Sequence, residues 1–125
     1  MWRIRESRPD ETEAVIALLD AALLAFDREA IRGSSGEREM YVAEEDTRIR
    51  GAIVLKASHI VAIAVQPRHR HRGVGRSLVA NALDHHGSVT ADWDPRVHGF
   101  FDALGFVWER TDDGRYRGRL HGPLE

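Results

Sequence analysis

One stretch limits the fold more than any other: an apolar run passes through a cationic, glycine-bearing turn into an amphipathic segment. Residues 59–65 (HIVAIAV) are almost unbroken in apolar character and rich in β-branched side chains, which is typical of a strand buried on both faces. Pro67 ends this run, because proline cannot donate to a strand ladder. Beyond the turn, apolar residues recur at helical spacing: Val74, Leu78, Val79, Ala82 and Leu83. The stretch therefore predicts a buried strand, a turn, and a helix with one face against a sheet.

The turn itself has the composition of an anion-binding site. Gly73 and Gly75 carry no Cβ, so the backbone can approach a ligand closely. The amino end of the helix that follows favours a negative charge. Arg70, Arg72 and Arg76 add positive charge and offer bidentate hydrogen bonds to phosphate oxygens. We infer that the ligand is a diphosphate.

Two common phosphate-binding motifs do not fit this turn. It lacks the Lys-Ser/Thr ending of a Walker loop, and it lacks the three-glycine dinucleotide fingerprint with its later acidic residue. Nucleotide hydrolysis and hydride transfer therefore lose support.

Residues 70–75 (RHRGVG), preceded by Val65-Gln66-Pro67, instead resemble motif A of the GNAT N-acetyltransferase superfamily. The pattern of that motif is Arg/Gln-x-x-Gly-x-Gly/Ala after a strand that ends in Val-x-Pro. Residues 98–106 (HGFFDALGF) resemble motif B, Phe-Tyr-x-x-x-Gly-Phe. Two motifs in order, separated by a helix and a strand, are much more specific than either alone. The chain is identified as a member of this superfamily by resemblance.

The fold that the resemblance implies is α/β (α+β), the GNAT fold, with a mixed central sheet of about six to seven strands and flanking helices. The pattern along the chain predicts the order β-α-β-β-β-α-β-α-β-β. The predicted strands are 2–5, 40–44, 50–56, 59–65, 88–93, 106–110 and 115–120. The predicted helices follow Pro9, with an apolar face that continues through Ala22, Leu23 and Phe26, then cover 75–86, and then run from Pro95 to Gly105.

Composition indicates one globular domain. The chain has 125 residues, of which 42% are hydrophobic and 30% charged, with a net charge of −2. We assign residues 1–123 to one N-acetyltransferase domain and interpret 124–125 as a candidate cloning remnant. The lack of cysteine excludes disulfides and thiolate chemistry and agrees with a cytoplasmic location. No membrane partner is expected, and the oligomeric state is predicted as monomer or homodimer.

The resemblance also implies where acetyl-CoA, as co-substrate, binds. The strands at 60–65 and 89–93 would part and admit the pantetheine arm, which bonds backbone groups of Ile63 and Val65. The amides of residues 71–76 would hold the pyrophosphate, and the Val65 amide would stabilise the tetrahedral oxyanion. The predicted cofactor-binding residues are Ile63, Ala64, Val65, Arg70, His71, Arg72, Gly73, Val74, Gly75, Arg76 and Phe101.

Motif B departs from the family pattern at Phe101, which stands where the family carries a tyrosine credited with protonating the departing thiolate. Phenylalanine cannot donate a proton, and a positioned general acid is worth about 100- to 10,000-fold. Tyr116, Tyr41, Ser77 or water could substitute, so the acid stays unassigned. The departure leaves a second hypothesis, a noncatalytic CoA- or diphosphate-binding module of the same fold.

The sequence also leaves the general base unassigned, and Asp94 and Asp92 are the favoured candidates. Asp94 stands where many relatives carry asparagine, and we favour a helix-capping role for it because it directly precedes Pro95. The full set of candidate bases is Glu44, His59, Asp92, Asp94 and His98. At pH 7 roughly a tenth of an α-amine is neutral, against well under a thousandth of a lysine side chain. The lack of a clear base therefore favours a peptide α-amine or a small amine as acceptor.

Metal and nucleic-acid binding receive little support. The chain has seven histidines, but those at 69 and 71 alternate with arginines that would repel a cation, so we predict no metal site. One basic loop on a slightly acidic protein is a weak nucleic-acid footprint, so no nucleic-acid partner is expected. The expected partner is an amine-bearing small molecule or peptide.

Overall fold

A seven-stranded mixed sheet forms the centre of the protein, seen in a computed structural model that describes residues 1–21, 38–69 and 72–124. The strands are β1 (Arg3–Glu6), β2 (Arg38–Glu45), β3 (Arg48–Lys56), β4 (His59–Val65), β5 (Ser88–Trp93), β6 (Val107–Arg110) and β7 (Tyr116–His121). Their order across the sheet is β1-β2-β3-β4-β5-β7-β6. Within the described ranges, β4 and β5 pair in parallel, and every other neighbouring pair is antiparallel.

Helices cover both faces of this sheet. Within the described ranges they are α1 (Thr12–Ala21), α2 (Val74–His86) and α3 (His98–Leu104). α1 buries Val15 and Leu19 against Val42, Val54 and other residues of one face. α2 and α3 pack on the opposite face, over the larger of the two cores. No described helix has both the length and the apolar character needed to cross a bilayer.

The predicted element order is confirmed, and β5 has its predicted bounds. The β2–β3 turn is shorter than the sequence suggested, because both strands extend to a two-residue turn at Asp46 and Thr47, with φ of 53° and 67°. Positive φ at both positions matches the twist of a tight hairpin. Pro95 begins a 3₁₀ turn rather than α3 itself, which starts three residues later at His98. The predicted face at 22–26 lies outside the described residues.

β4 and β5 separate soon after they begin. Their parallel pairing consists of His59 with Thr90 and Ile60 with Ala91, while β4 continues to Val65 and β5 to Trp93. The predicted parting of these strands is therefore confirmed. It opens toward their carboxyl ends, the edge at which α2 begins.

The first strand is fixed to its neighbours by an ion-pair network. The Arg5 guanidinium donates to both carboxylate oxygens of Glu11 at 2.9 and 2.8 Å and lies 3.4 Å from Glu44. Glu11 also accepts from the Arg8 amide at 2.7 Å. Hydrogen bonding, chiefly from Arg5, lowers the pKa of Glu11 from 4.5 to about 2.

Replacing Glu11 with glutamine should destabilise the protein at pH 7 by about 1–2 kcal/mol, because a charge-assisted bidentate pair is lost. Since the folded pKa is depressed, this stabilisation is present above the unfolded pKa of 4.5 and is lost as pH falls toward 2. Urea unfolding of the wild type and Glu11→Gln should therefore show a stability gap that narrows steadily below pH 4.5. An unchanged gap down to pH 3 or so would contradict this assignment.

Candidate functional site

The amino end of α2 is built around a left-handed glycine. Gly73 is the N-cap residue, with φ of 88° and no side-chain cap. The Ser77 amide donates to the Gly73 carbonyl at 2.9 Å, so the Val74 and Gly75 amides precede the hydrogen-bond ladder of the helix. Arg72 and Arg76 are exposed around this end. The structure thus presents backbone donors at a helix end that carries two exposed arginines, which suits an anion.

Aromatic rings flank this helix end on two sides. A Cβ placed on Gly75 would lie 2.8 Å from Phe100 Cε1 and 3.7 Å from Val65 Cγ2. The Phe100 ring therefore packs against α2 beside the last residue of β4. On the other side, the Trp2 ring lies 3.8 Å from the corresponding position on Gly73. Arg70 and His71, both predicted to bind the cofactor, lie outside the described residues.

The register of β4 sets the direction of its backbone groups. The Gln66 amide donates to the Arg50 carbonyl at 2.8 Å, and Val65 stands opposite Gly51. Because hydrogen-bonded pairs alternate in an antiparallel ladder, the polar backbone groups of Val65 and Ile63 point away from β3, toward β5. Those of Ala64 point toward β3. The backbone groups of Ile63 and Val65 therefore face the opening, whereas those of Ala64 face the β3–β4 ladder. The cofactor roles of all three residues stay predictions.

The side chain of Phe101 is buried more deeply than a residue that contacts the cofactor needs to be. Its side chain is 4% exposed and stacks on Trp93 at 4.4 Å, with an edge contact to Phe106 at 5.3 Å between ring centroids. The neighbouring Phe100 is the ring beside Val65 and Gly75. Phe100 was not among the residues predicted from the sequence, because two adjacent phenylalanines on a helix carry the same apolar signal. The cofactor role of Phe101 stays a prediction.

The residues considered as replacements for the missing general acid lie in different parts of the structure. The Tyr41 hydroxyl donates to Glu39 at 3.0 Å, and its ring lies 5.2 Å from that of His85, so Tyr41 sits at the carboxyl end of α2. Burial, the largest cause, raises the pKa of Tyr41 to about 12. Tyr116 stacks on the His98 ring at 3.9 Å. Ser77 is nearest in sequence to the glycine turn and is half-buried.

The two favoured base candidates are both held by arginines. Asp94 accepts from the Arg96 amide at 2.9 Å and from its guanidinium at 3.0 Å, which confirms the capping role. The same hydrogen bonds lower the pKa of Asp94, which weakens it as a base. Asp92 pairs with Arg117 at 3.1 Å and projects from β5 on the face opposite α2. Their catalytic roles stay predictions.

The other base candidates are also engaged. Hydrogen bonds from Arg5 and then Arg3 lower the pKa of Glu44. His59 Nδ1 is 2.7 Å from the Thr90 hydroxyl, at the paired end of β4 and β5, away from the opening. His98 Nδ1 accepts from the Trp93 indole at 3.0 Å, which leaves the ring proton on Nε2. Among the residues described, no group of three or more His, Asp or Glu is placed to hold a metal ion.

Comparison with known proteins defines the class. The sequence model of the acetyltransferase (GNAT) domain matches residues 9–123, and the chain therefore belongs to that family. No curated protein sequence matches the chain. The predicted fold and enzyme class, an acyl-CoA N-acyltransferase, are confirmed.

Solved structures share this fold at low sequence identity. The ribosomal-protein-S18-alanine N-acetyltransferase of Escherichia coli has a TM-score of 0.77 at 14% identity, over 100% of this chain and 95% of that one. The PaiA N-acetyltransferase of Thermoplasma acidophilum, in complex with coenzyme A, has a TM-score of 0.75 at 16% identity, over 98% and 99%. Apo YjaB of Escherichia coli is 25% identical with a TM-score of 0.70, over 97% of both chains.

Proposed function

We propose that the protein transfers the acetyl group of acetyl-CoA to a primary amine, either a peptide α-amine or a small amine, by direct attack. One observation carries this proposal: the opening between β4 and β5 lies at the same edge as the glycine-capped amino end of α2. A diphosphate on that helix end would have its attached arm beside the opening. The coenzyme A complex of PaiA supports this ligand class for the fold. We place the reaction in the cytoplasm, without a nucleic-acid or membrane partner.

Each part of the site has a role in this reaction. The Val74 and Gly75 amides bind the diphosphate, and Arg72 and Arg76 attract it. The backbone of Ile63 and Val65 bonds the arm, and a donor there stabilises the oxyanion. The amine nitrogen attacks the thioester carbon, the C–S bond breaks, and coenzyme A leaves as thiolate. The ammonium proton passes to solvent.

The acceptor class follows from the state of the candidate bases. Asp94 and Glu44 have lowered pKa values, and Asp92 is paired with Arg117. None of these carboxylates is arranged to take a proton from a strongly basic lysine. An acceptor that is already partly neutral near pH 7 needs less help, which favours α-amines.

A matched pair of peptides tests this acceptor class. One peptide has a free α-amine and no lysine, and the other has a blocked α-amine and one lysine. At pH 7 we expect the α-amine peptide to release coenzyme A thiol at least about tenfold faster, with the difference shrinking toward pH 10 as the lysine loses its proton. Faster reaction of the lysine peptide at pH 7 would contradict the proposal and indicate an unrecognised base.

Phe101 favours a second candidate, the noncatalytic binding module. A buried phenyl ring in the position of the family's tyrosine removes a proton donor. This hypothesis predicts acetyl-CoA binding without thiol release across a broad pool of amines. Release above the rate of spontaneous hydrolysis, dependent on both protein and acceptor, would exclude it.

A further inference from the structure

A carboxylate from outside both sequence motifs contacts the turn that leads into α2. Glu45, the last residue of β2, lies 3.6 Å from the Arg50 guanidinium and 4.0 Å from His69 Nδ1. His69 is the last residue of the 3₁₀ turn at Pro67–His69, four positions before Gly73. The chain's amino group lies 3.1 Å from the other Glu45 oxygen. Glu45 thus joins the end of β2 to β3 and to the segment before the glycine turn.

The contacts are sheltered from solvent. The side chains of Glu45, Arg50 and His69 are 17%, 16% and 15% exposed. Arg50 also reaches the turn directly, because its Nη1 lies 3.4 Å from the Gln66 side-chain oxygen, and its carbonyl accepts from the Gln66 amide. β2 and β3 therefore both contact residues 66–69, the segment that leads into the turn.

The negative charge of Glu45 allows two opposite effects of this residue on ligand binding to be distinguished. A carboxylate near a diphosphate site repels the ligand, so removing it should strengthen binding if Glu45 acts only through its charge. Contacts to Arg50 and His69 act in the opposite direction if they hold the Pro67–His69 segment in place before the ligand arrives. Fixing a binding loop in advance lowers the ordering cost of binding.

We propose that Glu45 is a positioning residue for the Pro67–His69 segment that leads to the amino end of α2, acting through Arg50 and His69; this rests on the proposed function. Its neighbour Asp46 supplies a matched control, because it is exposed in the β2–β3 turn and asparagine tolerates its φ of 53°. Loss of the carboxylate at either residue removes one negative charge from the same end of β2. Only the loss of Glu45 should loosen the Pro67–His69 segment.

The test compares wild type, Glu45→Ala, Glu45→Gln and Asp46→Asn by titration with acetyl-CoA and by thiol-release kinetics. For Glu45→Ala we expect Kd and KM for acetyl-CoA to rise about fivefold, the scale of one ion-pair contact, with kcat within about twofold. Glu45→Gln, which keeps the shape and one acceptor oxygen, should fold normally and show a smaller rise. Asp46→Asn should leave KM unchanged.

Tighter binding by Glu45→Gln, or equal values for Glu45→Ala and Asp46→Asn, would overturn the inference. If Glu45→Ala does not fold, Glu45→Gln decides, because a charge-only role predicts a fall in its Kd and positioning predicts a rise. Failure of the wild type to bind acetyl-CoA would overturn the proposed function itself, and this inference with it.

Discussion

Replacing Gly73 with valine is expected to abolish measurable acetyl-CoA binding while the protein stays folded. Gly73 has φ of 88°, a region that β-branched residues avoid. A valine there must either strain the backbone or rotate the first amides of α2 away from the ligand. The added side chain would also meet the Trp2 ring, which lies 3.8 Å from the Cβ position. We expect Kd to rise more than about thirtyfold, measured by calorimetry.

Gly87→Val is the matched control for this experiment. Gly87 caps the opposite end of the same helix with φ of 77°, and nothing lies within 4 Å of the position of its Cβ. Both variants should lose about 1–3 kcal/mol of unfolding free energy to backbone strain. Only Gly73→Val should lose the ligand. Equal binding by the two variants would show that α2 does not hold the diphosphate at Gly73.

Gly118→Ala is expected to cause the largest loss of stability. A Cβ on this β7 residue would lie 2.5 Å from Trp93 Cη2 and 3.0 Å from the Val107 carbonyl oxygen. Trp93 is 2% exposed and stacks on Phe101, so its ring has no space into which it can move. Overpacking of this kind costs about 3 kcal/mol, which thermal unfolding followed by circular dichroism would detect.

Gly99→Ala serves as the control for overpacking. Nothing lies within 4 Å of the Cβ position at Gly99, which is on α3. Alanine there should leave stability unchanged or raise it by up to about 1 kcal/mol, since glycine is a poor helix former. Equal stability of Gly118→Ala and Gly99→Ala would contradict the tight packing of Trp93 against β7.

The sequence predicted the parts of the fold that local patterns determine. β5 matches its predicted range, because a short alternating run lies between Gly87 and Pro95. α3 ends at Gly105, whose φ is 97°, as a glycine stop signal requires. The strand–turn–helix unit of β4 and α2 followed from hydrophobic periodicity. Each of these three predictions depends only on residues that are close together in the sequence.

The parts that escaped prediction depend on contacts between distant segments. Glu45 reaches His69, 24 positions away, because β2, β3 and β4 lie side by side, with an irregular register between Ala43 and Glu44. Likewise, periodicity could not decide which of Phe100 and Phe101 faces Gly75, since that choice depends on how α3 crosses α2. The backbone directions of Ile63 and Val65 required the pairing register of β3 and β4.

Titration calorimetry of the wild-type protein with acetyl-CoA tests the central claim most directly. We predict saturable one-to-one binding with Kd on the order of micromolar to high micromolar, as is usual for enzyme substrates, and loss of that binding in Gly73→Val but not in Gly87→Val. Absence of saturable binding up to roughly millimolar acetyl-CoA would contradict the assignment of the α2 turn as a coenzyme A site.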